Sequence, residues 1–318
     1  MLLYDLGTIP WKQTQLVYHA LARCDKQALV ICTPEKEYAC VGFHQDPAFE
    51  LDLEYCVNRK IGIFRREIGG GTVLLDKNQL FYQIIIDREK ASLDQRVLFR
   101  KLLEPVIRTY KALGIDAKYN PVSDLVVNGK KISGNGGGDI GNCKVMTGSI
   151  LLDFDCETMG RILRLSSERF RKDVYLAMKD NLTNVKRELG YIPEYKELKS
   201  ILISNYEDVF GSLEKSDLSS EVVNKMQELD KKFSTNDWLF KNMKKPGHRT
   251  IKIIEGMTLS HIVHKGVEMC IGSKNQEIRH IKIYSQISQE NSSRLNELLV
   301  GNKLDESTIY NSIDLVLS

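Results

Sequence analysis

The sequence has no long hydrophobic run, no Cys-x-x-Cys pair, no internal repeat and no low-complexity tract. Without a long apolar run a membrane-spanning helix is not expected, and the first residues, Met1 to Asp5, lack a signal-peptide pattern. Seven cysteines, an odd number, favour reduced intracellular thiols over a disulfide framework. A net charge of +3 is far from the basic excess of a nucleic-acid-binding protein. We therefore expect a cytoplasmic globular protein that binds neither membrane nor nucleic acid. We also expect it to be a monomer.

The chain is long enough for one large domain and one small domain, with 318 residues of which 42% are hydrophobic. Proline and glycine follow a lysine pair at Lys244-Lys245-Pro246-Gly247, a pattern typical of an exposed linker. We therefore predict domains at residues 1–245 and 246–318, the second a β-meander with helices. His261-x-x-His264 with Cys270 offers too few ligands for a structural zinc site.

The stretch from Phe64 to Asp76 combines charge with glycine. An apolar run ends at Arg65-Arg66, three glycines follow at 69–71, and a second apolar run begins at Val73. This pattern predicts a strand, a tight turn and a strand. Glycine allows backbone N–H groups to approach a ligand, and the arginines could neutralise an anion. A plain turn beside two solvated arginines explains the same pattern.

A second stretch, from Asp124 to Gly134, contains two short runs joined by Asn128-Gly129. Asn-Gly is a strong hairpin signal because both central residues tolerate positive φ. The hairpin brings Asp124 near the strand that carries Lys131, whereas Lys130 points to the opposite face.

Together these motifs resemble the lipoate-protein ligase family of the biotin/lipoate ligase superfamily, over about residues 1–245. The matching residues are Arg65-Arg66-x-x-Gly69-Gly70-Gly71-x-Val73, then Asp124-Leu125, then Lys131-Ile132-Ser133-Gly134. Asn181-Leu182-Thr183 resembles a further family segment. The resemblance implies an α+β fold, with a mixed-sheet catalytic domain of the biotin/lipoate ligase type and a small C-terminal α+β accessory domain.

The family activates lipoate with ATP and Mg²⁺ to lipoyl-adenylate and passes the acyl group to a lysine of a lipoyl-carrier protein. Such carriers are a lipoyl domain of a 2-oxoacid dehydrogenase, the glycine-cleavage H protein or another lipoate-binding protein. The resemblance implies that Lys131 is catalytic and that Asp124 holds the metal. The other substrate- and adenylate-binding residues that it implies are Gln45, Arg66, Gly69, Gly70, Gly71, Thr72, Val73, Asp76, Ser123, Ser133, Gly134 and Gly148, together with Asp124.

Some positions depart from the family pattern. Leu75 and Thr147 stand where many ligases have histidine, and Ser123 replaces an asparagine. Two alternatives therefore remain open: an octanoyl or lipoyl transferase that works without ATP through a Cys143 thioester, or a non-catalytic lipoate-binding protein. No histidine lies near Cys143 in sequence to activate it.

Three local predictions concern backbone structure. Residues 28–32 and 38–42 are predicted to pair as a hairpin. Ser92 is predicted to open a capping box for a long amphipathic helix. Residues 135–144, although they contain a formal Gly-x-Gly-x-x-Gly, are predicted to be a mobile loop that closes over the site, since no helix pattern follows.

Overall fold

The computed structural model describes residues 1–240 and 248–318. The described residues form two compact units, of which the first contains residues 1–164 and 182–240. The second contains residues 165–181 and 248–318. The predicted boundary at Pro246-Gly247 lies outside the described residues and stays a prediction. Among the described residues, no helix has the length and apolarity needed to cross a membrane.

The first unit is built on a mixed sheet in the order β11-β1-β2-β6-β10-β9-β8-β7, with a second sheet in the order β4-β3-β5. Its strands are β1 (Leu2–Ile9), β2 (Ala28–Pro34), β3 (Tyr38–Val41), β4 (Gly62–Arg65), β5 (Val73–Leu75), β6 (Gln79–Asp87), β7 (Lys118–Asn120), β8 (Asp124–Val127), β9 (Lys130–Ile140), β10 (Cys143–Leu151) and β11 (Glu214–Lys215). Its helices are α1 (Gln13–Arg23), α2 (Pro47–Glu50), α3 (Leu53–Asn58), α4 (Gln95–Ala112), α5 (Cys156–Ile162), α7 (Val185–Leu189), α8 (Tyr195–Phe210), α9 (Ser220–Phe233) and α10 (Asn236–Leu239).

Apolar clusters lie on both faces of the large sheet. Successive residues of β6 point to opposite faces, so Tyr82 and Ile84 join α4 and α8 in one cluster, whereas Phe81 and Ile85 join α1 and α9 in the other. The predicted α+β fold with a mixed sheet is thus confirmed.

The predicted hairpin and the predicted capping box are both wrong. β2 pairs with β1 and β6, whereas β3 pairs with β4 and β5, so the predicted hairpin does not form. Helix α4 is capped by Asp94, which accepts hydrogen bonds from Arg96 and Val97 N–H, and Ser92 instead accepts from Asp94 N–H. A short extended segment has the same sequence pattern whichever sheet it joins, so its partner strand could not be predicted. Two neighbouring residues can each cap the same helix, and the sequence does not show which of them does so.

The second unit contains an antiparallel sheet in the order β12-β13-β14-β15. Its elements are β12 (Arg249–Ile254), β13 (Met257–His264), β14 (Val267–Lys274), β15 (Glu277–Ile283), α6 (Glu168–Asn181), α11 (Gln289–Leu299) and α12 (Glu306–Leu317). The predicted meander is present, with β13 as an additional strand.

Helix α6 belongs to the second unit although it lies in the middle of the sequence. Asp173 on α6 accepts hydrogen bonds from Lys282 Nζ and Tyr284 Oη, both at 2.6 Å. Just before α6, Ser166 Oγ lies 2.7 Å from Nδ1 of His261 on β13. The second unit is therefore assembled from two separate stretches of the chain.

Candidate active site

The glycine turn, residues 68–71, is held by Arg66. The Arg66 side chain is buried, and its Nη2 donates to the carbonyls of Gly69 at 3.0 Å and Gly71 at 2.8 Å. Its Nη1 donates to Cys40 O at 3.2 Å. Gly70 has φ +104°, and a Cβ there would lie 2.6 Å from Arg66 Nη2, so only glycine fits. The guanidinium shapes the turn, and direct contact of Arg66 with a phosphate stays a prediction.

Gln45 ties a neighbouring loop to this turn. Its Oε1 accepts from Gly42 N–H and from Thr72 Oγ1, both at 3.1 Å. Val73 follows at the start of β5 and is 37% exposed. The predicted binding residues Gln45, Thr72 and Val73 thus lie together at one edge of the glycine turn.

Lys131 and Asp124 form an ion pair on the β8–β9 hairpin. Lys131 Nζ lies 2.9 Å from Asp124 Oδ1, and Asp124 is almost fully buried. A β-bulge between Leu125 and Val126 shifts the register, so that Asp124 faces Gly134. A Cβ on Gly134 would lie 3.0 Å from Lys131 Nζ. Gly134 therefore leaves the space that the lysine ammonium occupies.

The backbone of Lys131 is fixed by the segment that follows α6. Leu182 forms a parallel bridge with Lys131, and Thr183 N–H donates to Lys131 O at 2.8 Å. Arg187 Nη1 donates to Leu182 O at 3.2 Å. Leu182 and Thr183 of the predicted family segment thus position the lysine strand.

The glycine-rich residues 135–144 are not a mobile loop, and that prediction is wrong. They lie largely in β9 and β10, whose registered pairs run from Gly148 with Asn135 to Cys143 with Ile140. Strand alternation places Gly134, Gly136 and Gly138, here called the glycine strip, on one face. A Cβ on Gly136 would lie 3.1 Å from Gly69 O, and one on Gly138 would lie 3.3 Å from Ile68 Cγ2. The glycines allow the glycine turn to lie against the sheet.

Ser133, Ser123 and Gly148 belong to a buried hydrogen-bond network. Ser133 Oγ lies 2.8 Å from both Tyr82 Oη and Ser149 O. Tyr82 Oη donates to Asn135 Oδ1 at 2.7 Å, and Asn135 Nδ2 donates to Ser123 O at 2.7 Å.

Gly148 makes this network possible. A Cβ on Gly148 would lie only 1.9 Å from Asn135 Oδ1. Tyr82 was not singled out from the sequence, because its partners on β9 lie about fifty residues away. Ser133 and Gly148 therefore support the strand that carries the glycine strip.

Asp76 lies at the turn between β5 and β6. Its Oδ1 accepts from Asn78 N–H at 2.9 Å and lies 3.4 Å from Gln79 Nε2. Burial raises the pKa of Asp76. The carboxylate closes this turn, and its predicted role in binding stays a prediction.

Cys143 lies far from Lys131. It pairs with Ile140, nine residues beyond Lys131 on β9, which corresponds to roughly 30 Å at about 3.3 Å per residue. The residue lines a cavity of about 820 Å³ together with Asp25, Asp87 and Asn142. Burial raises the pKa of the Cys143 thiol, and a thiol is a weaker nucleophile than a thiolate.

Comparison with known proteins gives a consistent result. A family model described as the lipoyl protein ligase A/B catalytic domain matches residues 9–207, more than half of the chain. Lipoate-protein ligase A subunit 1 of Thermoplasma acidophilum is 25% identical over 70% of this chain and 88% of its own length. Lipoate-protein ligase 1 of Staphylococcus aureus is 25% identical over 77% of this chain and 71% of its own length. An octanoyltransferase LipM of Kyrpidia tusciae is 24% identical over 63% of this chain and 82% of its own length.

Solved structures show the same fold. The bipartite lipoate-protein ligase of T. acidophilum, studied with its E2 lipoyl domain, has a TM-score of 0.69 at 24% identity and covers 77% of this chain and 98% of that one. A lipoate-protein ligase A bound with ATP has a TM-score of 0.63 at 23% identity and covers 75% of this chain and 98% of that one. P. falciparum LipL1 in complex with lipoate has a TM-score of 0.62 at 15% identity and covers 98% of this chain and 93% of that one. This chain therefore belongs to the lipoyl protein ligase A/B family and carries an accessory C-terminal domain.

Proposed function

We propose that this protein is an ATP-dependent lipoate-protein ligase. It would join lipoate to AMP with release of pyrophosphate and then transfer the lipoyl group to a lysine of a lipoyl-carrier domain. The observation that carries the proposal is the Lys131–Asp124 pair at 2.9 Å, which lies beside Gly134 at one end of the glycine strip. The ATP-bound ligase and the ligase studied with its lipoyl domain support the nucleotide and the carrier.

Lys131 supplies positive charge where the reaction needs it. When the lipoate carboxylate attacks the α-phosphorus, a new O–P bond forms and the bond to pyrophosphate breaks, so negative charge gathers on the phosphate oxygens. A positioned ammonium group stabilises that charge. In the second step a carrier lysine attacks the acyl carbonyl, AMP leaves, and an amide forms. The salt bridge to Asp124 and the hydrogen bond from Thr183 hold Lys131 in place before substrate binds.

A magnesium ion fits this site only together with the substrate. Among residues 1–240 and 248–318, no three histidine, cysteine or acidic side chains are grouped to hold a metal. Mg²⁺ is commonly bound by one or two carboxylates and by substrate phosphates, and Asp124 is the carboxylate that we propose for this role. When bound, the ion would neutralise phosphate charge.

A transferase that uses a cysteine thioester is less well supported. Burial raises the pKa of all seven cysteine thiols in the chain, and Cys143 lies roughly 30 Å from Lys131 along β9. Because the chain is also similar to an octanoyltransferase LipM, the experiment includes this alternative.

The test is lipoate-dependent exchange of labelled pyrophosphate into ATP. We expect exchange in the natural chain and in Lys130→Ala, whose side chain is exposed, but at least a hundredfold loss in Lys131→Ala, since removal of one oxyanion-stabilising group costs about 10²–10³-fold. Cys143→Ser should retain both exchange and lipoylation of a carrier domain. Acyl transfer that proceeds without ATP and is lost in Cys143→Ser would refute the ligase function and support the transferase function.

A further inference from the structure

Gln83 on β6 carries a buried acceptor that no described residue satisfies. The residue is 1% exposed, and its Nε2 donates to Thr14 O at 2.6 Å. Within residues 1–240 and 248–318, its Oε1 has no hydrogen-bond partner. A buried acceptor left unpaired costs roughly 1–3 kcal/mol. A group that brings a donor to this point would therefore be bound preferentially.

The strand register places this acceptor on the face of the sheet that the glycine turn covers. Gln83 pairs with Thr147, and Thr147 pairs with Gly136. Residues that pair across neighbouring strands point to the same face. Gly136 lies directly beneath Gly69 O, since a Cβ on Gly136 would approach it to 3.1 Å. Gln83, Thr147 and Gly136 thus form one row that extends from the glycine turn towards α1.

The distance from Lys131 to Gln83 in this row is close to the length of an extended acyl chain. Lys131 Nζ lies beside Gly134, which is about 7 Å along β9 from Gly136, and Gln83 lies about 10 Å across two strand spacings. The separation between the ammonium and the Gln83 backbone is therefore roughly 12 Å. An extended eight-carbon acid spans roughly 9 Å, and a hydrogen bond of about 3 Å between its carboxylate and the ammonium covers the remainder. An acid whose carboxylate meets Lys131 would place its far end at Gln83 Oε1.

The chemistry of the far end then selects the substrate. The cyclic disulfide of lipoate and the methyl end of octanoate contain no hydrogen-bond donor, whereas dihydrolipoate ends in two thiols, each a weak donor. We propose, on the basis of the ligase function proposed above, that Gln83 is a specificity-determining residue whose Oε1 accepts a hydrogen bond from a thiol of dihydrolipoate. The protein would then use the dithiol in preference to the disulfide and to octanoate.

The experiment compares ATP–pyrophosphate exchange with dihydrolipoate under a phosphine reductant, with lipoate in its absence, and with octanoate under both conditions. For the natural chain we expect kcat/KM to be about tenfold higher for dihydrolipoate than for lipoate, which corresponds to about 1.4 kcal/mol. Gln83→Leu should reduce this ratio to about one and change octanoate activity by less than threefold. Gln13→Leu, the same substitution at an exposed glutamine of α1, should keep the tenfold preference.

Equal kcat/KM for the dithiol and the disulfide in the natural chain would overturn the inference, and it would indicate that a buried water satisfies Gln83. This comparison needs no variant, so a poorly folded Gln83→Leu leaves the test intact. A preference that persists in folded Gln83→Leu would likewise refute the role of Gln83. Exchange with none of the three acids would instead refute the proposed ligase function.

Discussion

We expect Gly134→Ala to leave this protein folded but to lower its activity. A Cβ at this position would lie 2.9 Å from Lys131 Cε and 3.0 Å from its Nζ. Carbon atoms normally stay about 3.5–4.0 Å apart, so the lysine end must move by roughly 0.5–1 Å. The moving atoms are the far end of a flexible side chain, and the strand itself need not shift. The lysine would then be displaced from Asp124 and from the phosphate of the proposed nucleotide substrate.

The stability cost of this change is small and the kinetic cost is large. Replacing glycine by alanine at a compatible backbone position stabilises a protein by about 0.4–1 kcal/mol, because it lowers the conformational entropy of the unfolded chain. This gain offsets the cost of the crowding. We therefore expect the free energy of unfolding in urea to change by less than about 1 kcal/mol. A displacement of about 1 Å in a reacting group costs on the order of 10²-fold in rate, so pyrophosphate exchange should fall by that factor.

The reasoning would be refuted if folded Gly134→Ala exchanged pyrophosphate at the natural rate. It would also fail if the variant lost several kcal/mol of stability, because the strand and not the lysine would then absorb the clash. Lys130→Ala is the appropriate control, since it changes the same strand at an exposed position.

Two further predictions concern stability. Gly148→Ala should destabilise the fold by at least about 3 kcal/mol in urea unfolding, because its Cβ would overlap Asn135 Oδ1 and break a buried network; unchanged stability would contradict the network. Burial lowers the pKa of His19 from 6.5 to about 4, so the unfolded chain binds more protons between these values, and stability present above pH 6.5 should fall by about 3 kcal/mol as the pH drops to 4. His19→Asn should flatten this part of the pH profile, and an equally steep profile in the variant would exclude His19 as its cause.

What the sequence predicted well is local. The Asn128-Gly129 turn, with φ +49° and +79°, sets a hairpin by its own backbone preferences, and together with the β-bulge between Leu125 and Val126 it brings Asp124 and Lys131 together. The order of the motifs also indicated the family correctly. These features depend on neighbouring residues, so they can be read without knowing the rest of the fold.

What the sequence did not predict depends on distant partners. Glycine favours loops on local grounds, yet Gly136 and Gly138 lie in a strand because the turn at Ile68-Gly69, about seventy residues earlier, needs close approach to the sheet. Alternate glycines at 134, 136 and 138 were the available signal, since glycine within a strand often marks such an approach. The Gln83 Oε1, which no residue in the described part of the chain satisfies, has no sequence signal, because its environment results from the packing of β6 against Thr14.

Because the second unit is assembled from two separate stretches of the chain, the order of synthesis affects how it folds. Helix α6 leaves the ribosome long before the strands of its own unit, since β12 begins at Arg249 and α6 ends at Asn181. Its apolar residues Phe170, Val174 and Met178, buried in the finished fold, must stay uncovered until those strands emerge. The first unit can be completed earlier, because domains generally fold as units in the order in which they are made. A premature stop near residue 245 would therefore yield a completed first unit in which the apolar face of α6 is exposed. We expect such a product to aggregate and to bind chaperones.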